Sequence, residues 1–159
     1  MLWHIPFNQQ DEVNELLVRG REDIFIAAEY DASAGKNKLP HDTVSYYVET
    51  LASDPAALHG SFQLYRAFGA TTAQNQERKT RRLLMPILAM GGTESLGAMA
   101  ADTMKLVADD VQTLVIPGIG HWLAEQAPEE LLAALTAFLA PYRDKQAAAA
   151  SLGPHAAVG

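Results

Sequence analysis

His121 stands in the run Gly118-Ile119-Gly120-His121-Trp122, directly after the apolar stretch Val111 to Ile116. The carboxyl ends of parallel strands are where open α/β sheets place their sites, and an imidazole that changes charge near neutral pH is suited to take a proton from water. That placement favours a catalytic base; the alternative is a histidine that caps the next helix or binds a backbone carbonyl. A base needs a group to activate and a carboxylate to orient it. The segment Thr93-Glu94-Ser95-Leu96-Gly97 has the serine and second glycine of a nucleophile elbow, but threonine replaces the first glycine where the turn must be tightest. Ser95 therefore reads as a loop serine that starts a helix. Glu94, at the end of a strand, is placed where an orienting acid could stand, or is a solvated glutamate favoured by a helix start. Asp109 and Asp110 precede the second strand, at the wrong end of a sheet.

Two further residues set a polar donor beside apolar surface: His4, which follows Trp3, and Tyr65, which shares a stripe with Leu58 and Phe62. Such groups protonate a leaving atom in a pocket, or simply pack with the polar end satisfied. Tyr30, Tyr46 and Tyr47 lack so clear a setting. His41, His59 and His155 have no companion at metal-ligand spacing, and neither H-x-x-x-H nor H-E-x-x-H occurs. Neither a metal nor a cofactor is expected. With no cysteine, disulfides, thiolate ligands and a cysteine nucleophile are excluded.

The elements that must position these residues follow from periodicity. Val13, Leu16, Leu17, Ile24, Ala27 and Ala28 fall at helical spacing with a break at Gly20, and the chain breaks again from Asp31 to Pro40. Asp42 is expected to cap a helix with the stripe Val44, Tyr47, Val48 and Leu51, and Asp54-Pro55 to open the helix of Leu58, Phe62 and Tyr65. The polar stretch from Gly69 to Arg82 reads as a linker or solvated helix. Composition changes at Leu83: a short apolar run, Leu84 to Met90, closed by Gly91-Gly92, reads as a buried strand. A helix over residues 97 to 109, a second strand over Val111 to Ile116 and a last helix opened by Pro128-Glu129-Glu130 complete a βαβα order. Leu132, Leu135, Phe138 and Leu139 are expected on the inner face of that helix. The fold class is α/β, with a parallel pair of strands. Two parallel strands cannot close a core, so the organisation is that of the carboxyl part of a larger α/β enzyme: residues 1–82 a helical segment, 83–144 the end of the core, and 145–159 a disordered Ala-rich tail.

The elements Met85 to Gly92, Asp109-Asp110-Val111, Ile116 to Leu123 and Pro128-Glu129-Glu130 resemble the end of an α/β-hydrolase-fold enzyme, close to its epoxide hydrolase and haloalkane or haloacid dehalogenase branch. Trp3 to Asn8, Gly20-Arg21-Glu22 and Phe62 to Phe68 resemble the helical lid of that branch. The resemblance covers about residues 2 to 142. It implies an ester intermediate on an elbow aspartate, lid donors that protonate the leaving oxygen, and a histidine that activates the hydrolytic water. Residue by residue, it makes His121 that base and His4 and Tyr65 the lid donors, with Trp3 and Trp122 in the substrate pocket. The oxyanion loop, the elbow aspartate and the first six strands are expected upstream of Met1, as is the orienting acid, which lowers the claim of Glu94. The chain by itself is expected to be inactive, its partners being that missing half and a small epoxide or halogenated substrate, with self-association through open strand edges as a hazard. A non-catalytic truncated fragment is the reading from a different class.

Composition agrees with this class. With 12 Lys+Arg against 19 Asp+Glu among 159 residues, the net charge of -7 disfavours nucleic acid, whose non-specific affinity comes from basic side chains. The longest near-apolar run, Leu131 to Ala140, is too short to span a bilayer. The start carries no basic region followed by a cleavage site, so a signal peptide is not expected and the cytoplasm is the default location.

Overall fold

A computed structural model of the chain describes residues 3–151, with side chains through residue 143. The tail beyond 151, with His155, lies outside the described residues. In chain order the elements are α1 His4–Asn8, α2 Val13–Val18, α3 Glu22–Ser33, α4 His41–Ala52, α5 Pro55–Arg66, α6 Phe68–Arg78, β1 Ile87–Gly92, α7 Met99–Lys105, β2 Val111–Ile116, α8 Leu123–Gln126 and α9 Pro128–Ser151.

The helical segment is organised around α5. Asp54 caps it as expected: Oδ1 accepts from the Ala56 N–H at 2.8 Å, and Pro55 occupies the first helical position. Leu58 and Phe62 point into a small core with Val18, each 2% exposed, and Phe7 and Phe25 pack against it. Burying a side chain of this size stabilises by about 2 kcal/mol, so this cluster fixes how α1, α2, α3 and α5 lie together. Around it runs a polar clasp. Glu15 accepts from Arg66 Nη1 at 2.6 Å and from His59 Nδ1 at 2.9 Å, while Asn14 accepts from Arg66 Nη2 at 2.9 Å and donates to the Phe7 and Asn8 carbonyls. α4 starts one residue earlier than the expected cap: it begins at His41 after Pro40, and Asp42 sits inside the first turn, accepting from the Thr43 N–H. Residues 68–78 form the solvated helix α6.

β1 and β2 form a two-stranded parallel sheet with Ile87 opposite Val111 and Gly92 opposite Ile116, joined through α7. β2 has the expected bounds; β1 begins three residues late, because Pro86 has no amide for the ladder and keeps Leu84 and Met85 out of it. Ile116, Ile119 and Ala127 make the core beneath β2, flanked by Met90, Leu114 and Leu123. The stripe on α9 departs from expectation: Leu132, Leu135 and Leu139 are exposed, since a sheet of two strands is too narrow to cover it. α9 also continues through Ser151, past the point where an Ala-rich tail was expected to begin.

Candidate functional site

His4, on the first turn of α1, and Tyr65, near the end of α5, are brought edge to face with ring centroids 6.0 Å apart. Both are half-buried. Trp3 leans on His4, Phe7 and Phe25, so one side of the pair is apolar. The other side is polar. Asn8, 2% exposed, donates through Nδ2 to Glu29 Oε1 at 3.0 Å, and its Oδ1 is buried without a partner among the described residues. Burial pushes the Glu29 carboxyl above the ordinary range, against the opposing pull of the Asn8 bond and the His4 charge. Burial, and then the Glu29 charge, raise the Tyr65 hydroxyl, with the Asn8 amide acting the other way. A tyrosine raised in this way keeps its proton at neutral pH and is a donor throughout.

His121 lies in the loop after β2, exposed, with its ring edge-on to Trp122 at 4.9 Å. Gly118 turns this loop at φ +71°, and Gly120 passes so close to the Ser33 and Ala34 carbonyls that a Cβ there would collide with both. The loop is tied to α3. The His121 N–H donates to the Ser33 carbonyl at 3.0 Å, and Trp122 Nε1 donates to Ser33 Oγ at 2.9 Å. Trp122 stacks on Tyr30 at 4.1 Å, and Tyr30 on Tyr47 at 5.2 Å. The Tyr47 hydroxyl donates to Glu125. Burial, followed by the nearby Tyr47 and Glu125, pushes the Tyr30 hydroxyl up to about 12, which keeps the stack neutral.

One helix thus serves both groups. Glu29 bonds Asn8 at the end of α1, the helix that carries His4, and Ser33, one turn or about 6 Å further along α3, holds the His121 loop. Glu94 is placed elsewhere: its carboxylate accepts from the Lys36 N–H and pairs with Lys36 Nζ at 3.9 Å, binding the turn after α3 instead of the His121 ring. Ser95 lies in the turn after β1, its N–H donating to the Gly92 carbonyl. Asn8, Glu29, Ser33 and Gln126 had no sequence signature, since each acts on a distant segment; the i, i+4 spacing of Glu29 and Ser33 was the one local clue. Among the described residues no group of three or more His, Asp or Glu side chains is placed to hold a metal ion, and no helix is long and apolar enough to cross a membrane.

No protein-family model matches the chain. It is 25% identical over 113 residues to the soluble epoxide hydrolase of Corynebacterium sp. strain C12, covering 71% of this chain and 39% of that protein. Among solved structures it resembles Cfl2 of Burkholderia cenocepacia, with a TM-score of 0.77 and 26% identity over 86% of this chain and 47% of that one. It also resembles the Cif epoxide hydrolase of Acinetobacter nosocomialis, with a TM-score of 0.79 and 20% identity over 86% and 44% of the two chains. The chain therefore spans less than half the length of each of these relatives. Its fold is the one expected, a helical segment and two-strand parallel remnant matching the carboxyl half of an α/β-hydrolase fold.

Proposed function

We propose that this chain is the lid-and-base half of an epoxide hydrolase-like enzyme. The observation that carries the reading is the single helix α3: its Glu29 bonds Asn8 at the end of α1, the helix that carries His4, and its Ser33, one turn further on, holds the His121 loop. In this reading an aspartate from the preceding half of the fold attacks an epoxide carbon, the carbon–oxygen bond breaks, and the ring oxygen takes its proton from Tyr65 or His4. His121 then removes a proton from water as the water oxygen adds to the ester carbonyl, which releases a diol and frees the aspartate. Trp3, against His4, and Trp122, against His121, would line the substrate pocket in this reading. A half-buried donor pair with Tyr65 held neutral supports the first step, and an exposed histidine on a fixed loop supports the second. Carbon–halogen cleavage is the rival chemistry, kept open by Trp3 against His4, since an indole and an imidazole are donors suited to a halide.

The test joins this chain to the preceding half of the fold and offers an aryl epoxide and fluoroacetate in parallel. In that enzyme His121→Ala is expected to accumulate a covalent adduct, read as a mass increase of one substrate, and Tyr65→Phe to slow adduct formation by roughly tenfold or more. Fluoride release without diol would transfer the reading to a dehalogenase. The 159-residue chain alone, which holds no elbow aspartate, is expected to turn over neither substrate above its own His121→Ala variant. Turnover abolished by Ser95→Ala would replace the proposal with a serine hydrolase.

A further inference from the structure

The end of a helix leaves carbonyl groups without partners inside the helix, and they must be met from elsewhere. At the end of α3 they are met by the loop that carries His121. The Ser33 carbonyl accepts from the His121 N–H at 3.0 Å, and the Ala34 carbonyl accepts from Gln126 Nε2 at 2.8 Å. Gln126 Nε2 also donates to the Asn37 carbonyl, and Asn37 Nδ2 donates to the Gly118 carbonyl at 2.8 Å. The opposite end of the same amide faces the other way. Gln126 Oε1 accepts from the Gly120 N–H at 3.1 Å and from the Trp122 N–H at 3.2 Å, the residues on either side of His121. Two donors on one side and two carbonyls on the other leave one orientation for the amide. Only glutamine has an acceptor and a two-proton donor at this reach.

We infer that Gln126 is a positioning residue for His121: its oxygen fixes the loop on both sides of the histidine, and its nitrogen latches that loop to the end of α3. The inference rests on the reading of His121 as the base that acts on the ester. The consequence is that ester hydrolysis depends on Gln126 while ester formation does not, because the His4–Tyr65 pair lies against Trp3, which packs on Phe25 earlier on α3, and α1 is tied to α3 by the Asn8–Glu29 bond.

Two variants separate the halves of the latch. Gln126→Ala removes both, whereas Gln126→Glu keeps an acceptor for Gly120 and Trp122 and loses the donor to Ala34 and Asn37. In the 159-residue chain, amide exchange in Gln126→Ala is expected to speed up at the His121 N–H and the Trp122 indole N–H, bonds Gln126 does not itself make, with the β1–β2 ladder unchanged as proof of folding. Gln126→Glu is expected to keep Gly120 and Trp122 backbone protection and lose that of the His121 N–H. Protection of the His121 N–H and the indole that is unchanged in both variants would overturn the latch. In the enzyme carrying both halves of the fold, the adduct is expected to persist about tenfold longer in Gln126→Ala with its formation rate unchanged, a misplaced base being costly in rate. Equal slowing of both steps, or of neither, would overturn the positioning role. If exchange responds as stated but His121→Ala accumulates no adduct, the latch stands and the assignment of the base falls.

Discussion

Glu15 is met by Arg66 and His59, and its pairing with Arg66 lies where little water reaches: its side chain is 11% exposed and that of Arg66 13%. Burial alone would raise its carboxyl, but the Arg66 and His59 hydrogen bonds outweigh it and bring the group below the ordinary carboxylate range. A carboxyl depressed in the folded state contributes stability above its unfolded value, and that contribution is lost as the pH falls through the folded one. Glu29 has the opposite sign. Its raised carboxyl contributes fully below the ordinary value, and the contribution is lost as the pH rises through the folded one. Urea unfolding from about pH 3 to pH 7 checks both. Glu15→Ala is expected to cost about 2 kcal/mol at neutral pH, because it takes the carboxylate from a half-buried guanidinium that keeps only its Asn14 and Gln10 bonds, and to lose stability less steeply toward acid than the parent. Glu29→Gln is expected to flatten the decline on the neutral side.

At the scale of elements, the approach of the His121 loop to the end of α3 leaves no room at Gly120. Gly120→Ala would place a methyl on the Ser33 and Ala34 carbonyls, whereas a methyl at Gly60 meets nothing. Gly120→Ala is expected to cost about 2 kcal/mol through overpacking and to speed tryptic cleavage after Lys36 and Lys38, with Gly60→Ala resembling the parent. The elements themselves were largely legible beforehand. β2 was plain because Pro117-Gly118 closes its apolar run, and α5 because Asp54-Pro55 is a cap with a mechanism. The stripe of Leu132, Leu135 and Leu139 misled, because a sequence shows which face is apolar and not whether anything covers it. His121 stood out as a candidate by its place after a strand, and His4 and Tyr65 by the resemblance of their segments to a lid. Ser33, Asn37 and Gln126 did not, since their hydrogen bonds join segments that nothing local relates.

Taken whole, the described molecule has apolar surface that its own elements leave open: Leu84 is 92% exposed, Leu132 66% and Leu139 49%. β1 and β2 pair with each other alone among the described residues, so each has an open edge. The isolated chain is expected to associate in a concentration-dependent way by light scattering, and Leu132→Lys with Leu139→Lys to shift it toward monomer with unchanged circular dichroism; a monomer at every concentration would refute this. The latch at Gln126 bears on how the chain reaches its final form. Its bond to Ala34 joins residues 92 apart in sequence, and the Trp122 bond to Ser33 joins residues 89 apart, whereas the strands meet across a single short helix. Closing a long loop costs chain entropy before any bond repays it, so contacts of this span form late. The βαβ unit is therefore expected to assemble first and the helical segment to dock onto it last, read in pulsed hydrogen exchange as protection of the β1–β2 ladder ahead of the His121 N–H. On that order His121 and the His4–Tyr65 pair come into register only at the final step, and thermal opening of the native chain is expected to begin there, by parting the end of α3 from the His121 loop, seen as the earliest loss of His121 N–H protection on heating.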